Sequence, residues 1–289
     1  MNILILGGNR YFGKSVLKIL SKKKYKIFLV NRGLKTNLKN KNIKHIKIDR
    51  KKINKDSKYF KNIYFHKVFD NNAYCLDDVK NLLSIIKNNF KHYIFTSSSI
   101  TYLDLHLKKK VTENEWHKGK YSSDFVRKFK AREISYAKNK RAIEKFLINQ
   151  KKINYTILRI PAVLGKNDFS SKTKNLIYFD YYKNFSKFNL QDKIQFIYKE
   201  NLIRIIVKII YDTNFKKKSI NIANDPIKVQ TFYKILDKNK RNKNKFLKNS
   251  EFPIPKNTTI CNSKLKNMFK NLLTPTQKVV KKVLTSNEV

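Results

Sequence analysis

The sequence predicts an α/β fold, in which a doubly wound parallel sheet carries helices on both faces and a smaller C-terminal lobe follows. Three observations predict it. Short apolar runs alternate with amphipathic stretches through the first 160 residues, the apolar runs are rich in Ile, Val, Phe and Tyr, and four of the six glycines occur by residue 33. Because a strand, a helix and a second parallel strand make one crossover unit, this alternation indicates a parallel sheet.

The individual elements follow from these runs. We predict strands at 2–6, 26–30, 43–48, 66–69, 93–96 and 155–158, and helices at 11–22, 76–88 and 132–150. Beyond residue 160 the alternation loosens, and we predict helices at 200–211 and 231–237, a strand at 219–222, and a mobile Lys/Asn-rich surface loop at 237–249. The expected domains are therefore residues 1–160 and a smaller α/β lobe, 161–289, which is interleaved with the first.

The chain is strongly basic, with 66 Lys plus Arg against 20 Asp plus Glu and a net charge of +46. Of the basic residues 57 are Lys and 9 are Arg, and Lys, Asn, Ile, Tyr and Phe are all residues of AT-rich codons. Base composition therefore explains the excess without a polyanionic partner. A nucleic-acid interface would concentrate the charge in a stripe, whereas Lys is spread along this whole chain. Non-specific RNA binding stays open as an alternative.

The remaining composition excludes several classes of protein. Cys75 and Cys261 provide neither a disulfide framework nor zinc-ligand spacing, so we expect no metal site and a reducing, cytoplasmic location. The chain starts with MNILILGG, which indicates a strand and no signal peptide, so we expect no export. The best apolar run, 202–210, is short and interrupted by Arg204 and Lys208, so we expect no membrane span.

Three glycines lie between the first predicted strand and the first helix: Gly7, Gly8 and Gly13. Glycine there permits a tight turn and a close approach of the backbone to a pyrophosphate at the helix N-terminus. Two patterns compete for this loop. GNRYFGKS, 8–15, matches the P-loop, in which Lys14 would reach the β/γ-phosphates and Ser15 would hold Mg²⁺. The dinucleotide pattern has Arg10 where a middle Gly is usual, so the loop alone leaves both readings open.

Further motifs occur downstream in a fixed order. They are NRG at 31–33, Asp49-Arg50, DNNAY at 70–74, YIFTSSSITY at 93–102, Tyr136-x-x-x-Lys140, LRIPAVLG at 158–165 and NIAND at 221–225. Together with GGNRYFG, which is similar to a GGTRFIG variant, they resemble the extended short-chain dehydrogenase/reductases, the NAD-dependent epimerase/dehydratase family, over roughly residues 1–235. The resemblance implies a Rossmann-like fold, an NAD(P)-dependent epimerase or oxidoreductase, a nucleotide-sugar substrate and a homodimer.

Tyr136 and Lys140 form the only Tyr-x-x-x-Lys pair of the chain, although about three are expected by chance from 16 tyrosines and this many lysines. The spacing places both side chains on one helix face. The resemblance implies that Tyr136 exchanges a proton with the substrate, that Lys140 binds the nicotinamide ribose, and that Ser98 binds the substrate. We expect Lys140 to lower the pKa of Tyr136, since an unperturbed tyrosine titrates near 10. A helix-surface pair and a cluster of strand-end hydroxyls are the structural alternatives.

The resemblance also implies a set of cofactor-binding residues: Gly7, Asn9, Arg10, Tyr11, Phe12, Gly13, Asn31, Arg32, Asp49, Asn71, Ser97, Lys140 and Pro161. Asn31 stands where an acidic residue normally accepts the adenosine 2′-OH of NAD. Arg32 and Arg10 suit a 2′-phosphate through their planar guanidinium groups. The cofactor is therefore NAD or NADP, and the arginines favour NADP. Asp49 is similar to the residue that contacts the adenine ring.

Two departures from the family pattern bear on the reaction. Ser98-Ser99 replace the acidic pair that dehydratases carry at this strand end, which favours epimerisation or reduction over dehydration. The interval from Ser98 to Tyr136 is longer than usual and contains TENEWHKGK, 112–120, which could form a lid. Within it Trp116 and His117 have no partner spacing for a metal.

Two other functions remain open from the sequence. One is an RNA-binding protein of the chloroplast stem-loop-binding type on the same fold, which the charge would suit. The other is a P-loop nucleotidase, which would need Asp49 or Asp70 to hold Mg²⁺.

Overall fold

A computed structural model describes residues 1–33, 40–53, 59–87, 89–102, 105, 110–116, 130–177, 189, 191–239 and 257–285. The chain divides into two compact units. The first comprises Met1–Thr101, Tyr121–Arg159 and Ile203–Ile220, and the second comprises Tyr102–Lys120, Ile160–Leu202 and Asn221–Val289. Residues 203–220 thus belong to the first unit, and the division of the domains near residue 160 stays a prediction.

The helices and strands are as follows. The strands are β1 (Asn2–Leu6), β2 (Lys26–Asn31), β3 (Ile43–Lys47), β4 (Lys67–Asp70), β5 (Tyr93–Ser98), β6 (Tyr155–Ile160), β7 (Ala162–Leu164), β8 (Lys193–Ile194), β9 (Phe196–Tyr198), β10 (Lys218–Asn221) and β11 (Ile227–Lys228). The helices are α1 (Tyr11–Ser21), α2 (Leu76–Ile86), α3 (Ala131–Asn149), α4 (Lys172–Ile177), α5 (Lys199–Tyr211), α6 (Val229–Asn239), α7 (Ser263–Phe269) and α8 (Thr276–Thr285).

A seven-stranded parallel sheet has the strand order β10-β6-β5-β4-β1-β2-β3. β1 is an interior strand of this sheet, and its Leu4 is opposite Phe28 of β2 and Val68 of β4. The strand order reverses between β1 and β4, and in open α/β sheets ligands bind beyond the carboxyl ends of the strands at such a point. The predicted fold class is confirmed. The sheet therefore directs attention to the residues that follow β1, β4 and β5.

The first unit holds its sheet together through fully buried apolar side chains. Ile3–Leu6 of β1 have no exposed surface, because β1 is covered on both faces as expected of a central parallel strand. The helix α1 buries Val16, Leu17 and Leu20, which lie on one face at helical spacing. The helix α2 begins at Cys75, where the Asp78 carboxylate accepts the Tyr74 and Cys75 amides at 2.8 and 3.2 Å.

The second unit has its own small sheets and its own core. β7 pairs in parallel with β9, and β11 pairs antiparallel with β8. Its buried apolar cluster includes Leu176, Phe196, Phe232 and Val279. Because α6 continues to Asn239, the predicted loop at 237–249 is wrong for residues 237–239, and residues 240–249 lie outside the described part of the chain. Within the described residues, none of the helices has the length and apolar character that crossing a membrane requires.

Candidate active site

The loop between β1 and α1 has the backbone conformation that a glycine-rich phosphate loop needs. Gly7 and Gly8 have φ values of 95° and 78°, which residues with a Cβ rarely adopt. A Cβ on Gly13 would lie 2.7 Å from Asn71 Nδ2 and 3.2 Å from Gly8 Cα, so a larger residue there would displace the Asn71 amide and press on the Gly8 backbone. Tyr11 also has a positive φ, 46°, which is uncommon for a bulky residue and typical of functional loops. These residues fit a dinucleotide pyrophosphate at the N-terminus of α1.

The segment after β4 lies directly beside this loop. The Asn71 amide donates to the Leu6 carbonyl at 3.0 Å, and the Asn71 side chain accepts the Thr96 hydroxyl of β5 at 3.2 Å. The carboxyl ends of β1, β4 and β5 are thereby joined at one place. Sequence motifs alone gave Asn71 as a cofactor-binding residue, and the structure places it between Gly13 and the end of β5.

A buried network of ion pairs and hydrogen bonds holds this segment in place. The Arg50 guanidinium donates to both Asp70 carboxylate oxygens at 2.8 and 3.0 Å, and also to the Asn72 side chain at 2.8 Å. The Tyr93 hydroxyl donates to the same Asp70 carboxylate. Arg50 holds the pKa of the fully buried Asp70 below its usual value even though burial raises it. Asp70 is therefore committed to structural partners, which argues against a role in holding Mg²⁺.

Three predicted catalytic residues meet at the end of β5. The Ser98 hydroxyl forms a side-chain hydrogen bond with Tyr136 of α3. The Lys140 ammonium lies one helical turn further along α3, 5.6 Å from the centre of the Tyr136 ring. A second aromatic side chain, Tyr74, is 63% exposed and has its ring centre 6.3 Å from that of Tyr136. A substrate hydroxyl or carbonyl that reached Tyr136 would thus meet two hydroxyl groups and one cation.

Lys140 is buried and largely committed to the protein. Its ammonium donates to the backbone carbonyls of Ala73 and Thr96 at 2.8 and 2.9 Å and lies 4.6 Å from the centre of the Phe95 ring. Burial lowers its pKa to about 8, although neighbouring carboxylates oppose the shift. Among the described residues the third ammonium proton has no acceptor, so it is available to a ligand such as a ribose hydroxyl.

The pKa of Tyr136 corrects one expectation. We expected Lys140 to lower it, but burial and the neighbouring Tyr74 raise it to about 12, and the hydrogen bond with Ser98 only partly offsets them. The Lys140 ammonium donates to the carbonyls of Ala73 and Thr96 and lies 5.6 Å from the centre of the Tyr136 ring, and it does not count among the groups that shift this pKa. Tyr136 is consequently protonated at neutral pH in this structure.

The same face of α3 carries, one turn further along, a second buried ion pair that sequence reasoning missed. Glu144, one turn beyond Lys140, accepts Arg159 of β6 at 2.9 Å from Nε and 2.7 Å from Nη2. It also accepts the Ser97 hydroxyl of β5. Ser97 was expected to contact the cofactor, and the structure commits its hydroxyl to Glu144. The four-residue spacing from Lys140 was the signal in the sequence that could have indicated Glu144.

The predicted adenosine end lies after β2. The Asn31 carboxamide oxygen accepts the Gly33 amide at 2.8 Å and contacts His45 Nε2 at 3.0 Å. Burial and the nearby Lys47 lower the pKa of His45, so it is neutral at pH 7 and donates from Nε2 to Asn31. Arg32 is exposed, and so is Arg10 in the first loop. The described residues here include no carboxylate at the end of β2 itself.

Other predicted site residues occupy separate places. Asp49 accepts the Lys51 amide at 3.0 Å and so begins a short 3₁₀ turn. Asn9, Tyr11 and Phe12 are half-buried in the first loop and the first turn of α1, and Pro161 lies in the second unit between β6 and β7. Of the proposed lid, Thr112–Trp116 are described and Glu113–Glu115 form a 3₁₀ turn, whereas His117 lies outside the described residues.

Within the described part of the chain, no group of three or more metal-ligating side chains is present.

A comparison with protein families matches residues 3–223 to the NAD dependent epimerase/dehydratase family. This chain belongs to that family. As an NAD dependent epimerase/dehydratase family member it is an enzyme of the extended short-chain dehydrogenase/reductase type. The match gives no support to the RNA-binding or nucleotidase alternatives. A comparison with curated proteins finds no match.

Solved structures share the fold of this family member at low sequence identity. UDP-glucuronic acid 4-epimerase from Bacillus cereus in complex with NAD is 18% identical with a TM-score of 0.71, covering 99% of this chain and 94% of that one. Vestitone reductase from alfalfa (Medicago sativa L.) is 14% identical with a TM-score of 0.73, covering 98% and 96%. UDP-N-acetylglucosamine 4-epimerase from Methanobrevibacter ruminantium M1 is 16% identical with a TM-score of 0.66, covering 98% and 96%. These likenesses establish the Rossmann-like architecture.

Proposed function

We propose that the chain is an NAD(P)-dependent epimerase or reductase that acts by hydride transfer at a sugar carbon of a nucleotide sugar, with Tyr136 as the acid/base. The observation that carries the proposal is the cluster at the end of β5, where Ser98 is hydrogen-bonded to Tyr136 and the Lys140 ammonium lies 5.6 Å from the Tyr136 ring centre. General acid–base catalysis requires such groups within hydrogen-bond reach of one reacting oxygen.

Each residue of the cluster has a distinct task. Tyr136, protonated at neutral pH because its pKa is about 12, donates a proton to a sugar carbonyl that is being reduced. Ser98 holds the same oxygen and fixes its direction. Lys140 would hold the ribose of the nicotinamide through its remaining N–H group, and its ammonium lies 5.6 Å from the centre of the Tyr136 ring. The nicotinamide, when bound, supplies or accepts the hydride.

The substrate class is argued from chemistry and from the fold neighbours. Two of them act on UDP-linked sugars by their names, and the third is a reductase. The chain's net charge of +46 attracts an anionic diphosphate, although it does not select among anions. Ser98 and Ser99 hold the place of an acidic pair, so epimerisation or reduction is proposed rather than dehydration.

The experiment begins with the purified full chain. Native mass spectrometry and absorbance should detect a nicotinamide dinucleotide bound to the chain, either co-purified or after it has been added. The chain should then epimerise or reduce UDP-sugars in a panel of such substrates. The Tyr136→Phe variant should lose activity by about 10²–10⁴-fold while it still binds the dinucleotide. Tyr64→Phe, an exposed tyrosine next to the start of β4, is the matched control and should keep full activity. Full activity in Tyr136→Phe, or a wild-type chain that binds no nicotinamide dinucleotide, would contradict the proposal.

We infer a preference for NADP over NAD from the same adenosine end. Asn31 is neutral, and Arg32 and Arg10 are exposed cations in the two predicted contact loops. Asn31→Asp is a sharp test because a carboxylate can still accept from Gly33 and His45 but adds a negative charge beside the 2′-position. The ratio of the dissociation constants, Kd for NADP over Kd for NAD, should rise by about tenfold or more. An unchanged ratio would show that Asn31 does not read this position.

A further inference from the structure

Six ionised side chains are buried together beside the end of β5. Three are cations, and three are carboxylates: Arg50, Lys140, Arg159, Asp70, Asp78 and Glu144. The charges of this group sum to zero. Because each isolated ion would cost several kcal/mol to bury, the balance indicates that Lys140 is one necessary member of the set rather than an addition to it.

Glu144 is the member with no part in the recognised motif. Its side chain has no exposed surface, and three donors from two strands satisfy it: the Ser97 hydroxyl and two guanidinium nitrogens of Arg159. These bonds fix the face of α3 that carries Lys140 and Tyr136 against β5 and β6. The adjacent residue Ser98 is the hydrogen-bond partner of Tyr136.

The carboxylates around Lys140 all oppose the effect of burial on its pKa. Asp70 raises the pKa of Lys140 the most, and the ion-pair partner of Asp70, Arg50, lowers it. Glu144 and Asp78 also raise the pKa of Lys140, and Glu144 does so from the same helix, one turn away. The rings of Phe95, Tyr136 and Tyr74 complete the surroundings of the ammonium.

We propose that Glu144 is a positioning residue of the active site, which anchors α3 through Ser97 and Arg159 and supplies the buried negative charge that keeps Lys140 in its ammonium form. The inference deepens the proposed function, and its first test rests on that function. Without Glu144, Lys140 would lose its proton at a lower pH and with it the charge offered to ribose and to Tyr136.

The first experiment measures the Kd of NAD(P)H against pH between 6 and 9.5. In the wild-type chain the affinity should fall as Lys140 deprotonates near pH 8. In Glu144→Gln the fall should begin about one pH unit lower, because a buried opposite charge one helical turn away shifts a pKa by this order. Glu133→Gln, an exposed glutamate on the same helix, is the matched control and should follow the wild type.

Glu144→Gln leaves the Arg159 guanidinium buried without its partner charge, and that could unfold the chain. The double variant Glu144→Gln/Arg159→Met removes both ions of the pair, and it should show the same earlier fall in affinity. A Kd that is raised by one constant factor at every pH, in either variant, would show that Glu144 acts through packing alone and would overturn the proposal.

A second measurement separates this inference from the proposed function, because it needs no dinucleotide. A lysine whose pKa is lowered on folding makes the native state gain stability as the pH rises through its folded value. In Glu144→Gln that gain in stability starts at a lower pH. The free energy of unfolding of this variant should therefore lie further below that of the wild type at pH 6.5 than at pH 9. If wild-type chains bind no dinucleotide, the proposed function fails, and the comparison of stabilities at the two pH values is then the test of the role of Glu144. A loss that is equal at both pH values would refute the role of Glu144.

Discussion

Two buried lysines lie at opposite ends of the strands of the same sheet, and they differ in the groups that surround them. Lys67 begins β4 and is 2% exposed, and Lys140, beside the carboxyl ends of β4 and β5, is 3% exposed. Burial lowers the pKa of each to about 8, and each donates to two backbone carbonyls. Their burial and carbonyl partners alone therefore do not distinguish them.

The difference lies in the third proton of each ammonium. Lys67 donates to His92 Nδ1 at 3.0 Å, His92 Nε2 contacts the Thr156 hydroxyl at 2.7 Å, and that hydroxyl donates to the Phe215 carbonyl at 2.5 Å. These hydrogen bonds fix the last turn of α5 and the residues that follow it, 209–215, at the amino end of β4. Lys140 keeps one proton for a ligand and faces carboxylates and aromatic rings. A buried lysine is structural where every proton has a protein acceptor, and suited to binding where one does not.

The largest expected effect separates the two lysines by activity. Lys140→Met should lower kcat/KM by at least about 10²-fold, because the variant loses both the proposed ribose contact and the charge next to Tyr136. Lys67→Met should leave kcat/KM within about twofold in the chain that remains folded. Steady-state kinetics with the identified substrate measure both. Equal losses in the two variants would erase the distinction.

The second prediction concerns stability rather than activity, and here the substitution of Lys67 has the effect. Lys67→Met leaves His92 Nδ1 and the Asp212 carbonyl without their donor, so the free energy of unfolding should fall by about 1–3 kcal/mol. Lys80→Met, an exposed lysine on α2, should change it by less than about 0.5 kcal/mol. Urea unfolding followed by circular dichroism measures the difference. An unaltered midpoint in Lys67→Met would mean that the chain of hydrogen bonds contributes nothing.

Sequence reasoning recovered most of this fold and only part of the site. Of the six sheet strands of the first 160 residues, five were predictable as apolar runs that are buried along most of their length, and the edge strand β3 was predictable from the alternation of apolar and polar residues in IKHIK. Ser98, Tyr136 and Lys140 were predicted as site residues because the motifs that contain them resemble those of the family. The partners of Lys140 were not, since Glu144, Arg50 and Asp70 read as ordinary charged residues until the topology brings them together.

The third prediction concerns acid and is the smallest. Burial and the charge of Lys67 lower the pKa of His92 to about 3, against an ordinary value of 6.5. The native state therefore resists a proton that the unfolded chain takes up, and stability is lost as the pH falls below about 6.5. Between pH 6.5 and 5 His92 should contribute a slope of at most about 1.4 kcal/mol per pH unit. His92→Gln should flatten the slope measured by urea unfolding at stepwise pH, and an identical slope would exclude His92 as its source.

The placement of arginine has a consequence for reading chains of this composition. Arg50 and Arg159 each donate hydrogen bonds to a buried carboxylate from two nitrogens. Arg141 donates to the Thr101 carbonyl at 2.6 Å. A lysine has one nitrogen and cannot reproduce such a fork. Where 57 lysines make positive charge almost uninformative, the 9 arginines are the better guide. In a chain this rich in lysine, a buried arginine indicates a position where the geometry of the contact, rather than the base composition of the gene, requires that residue.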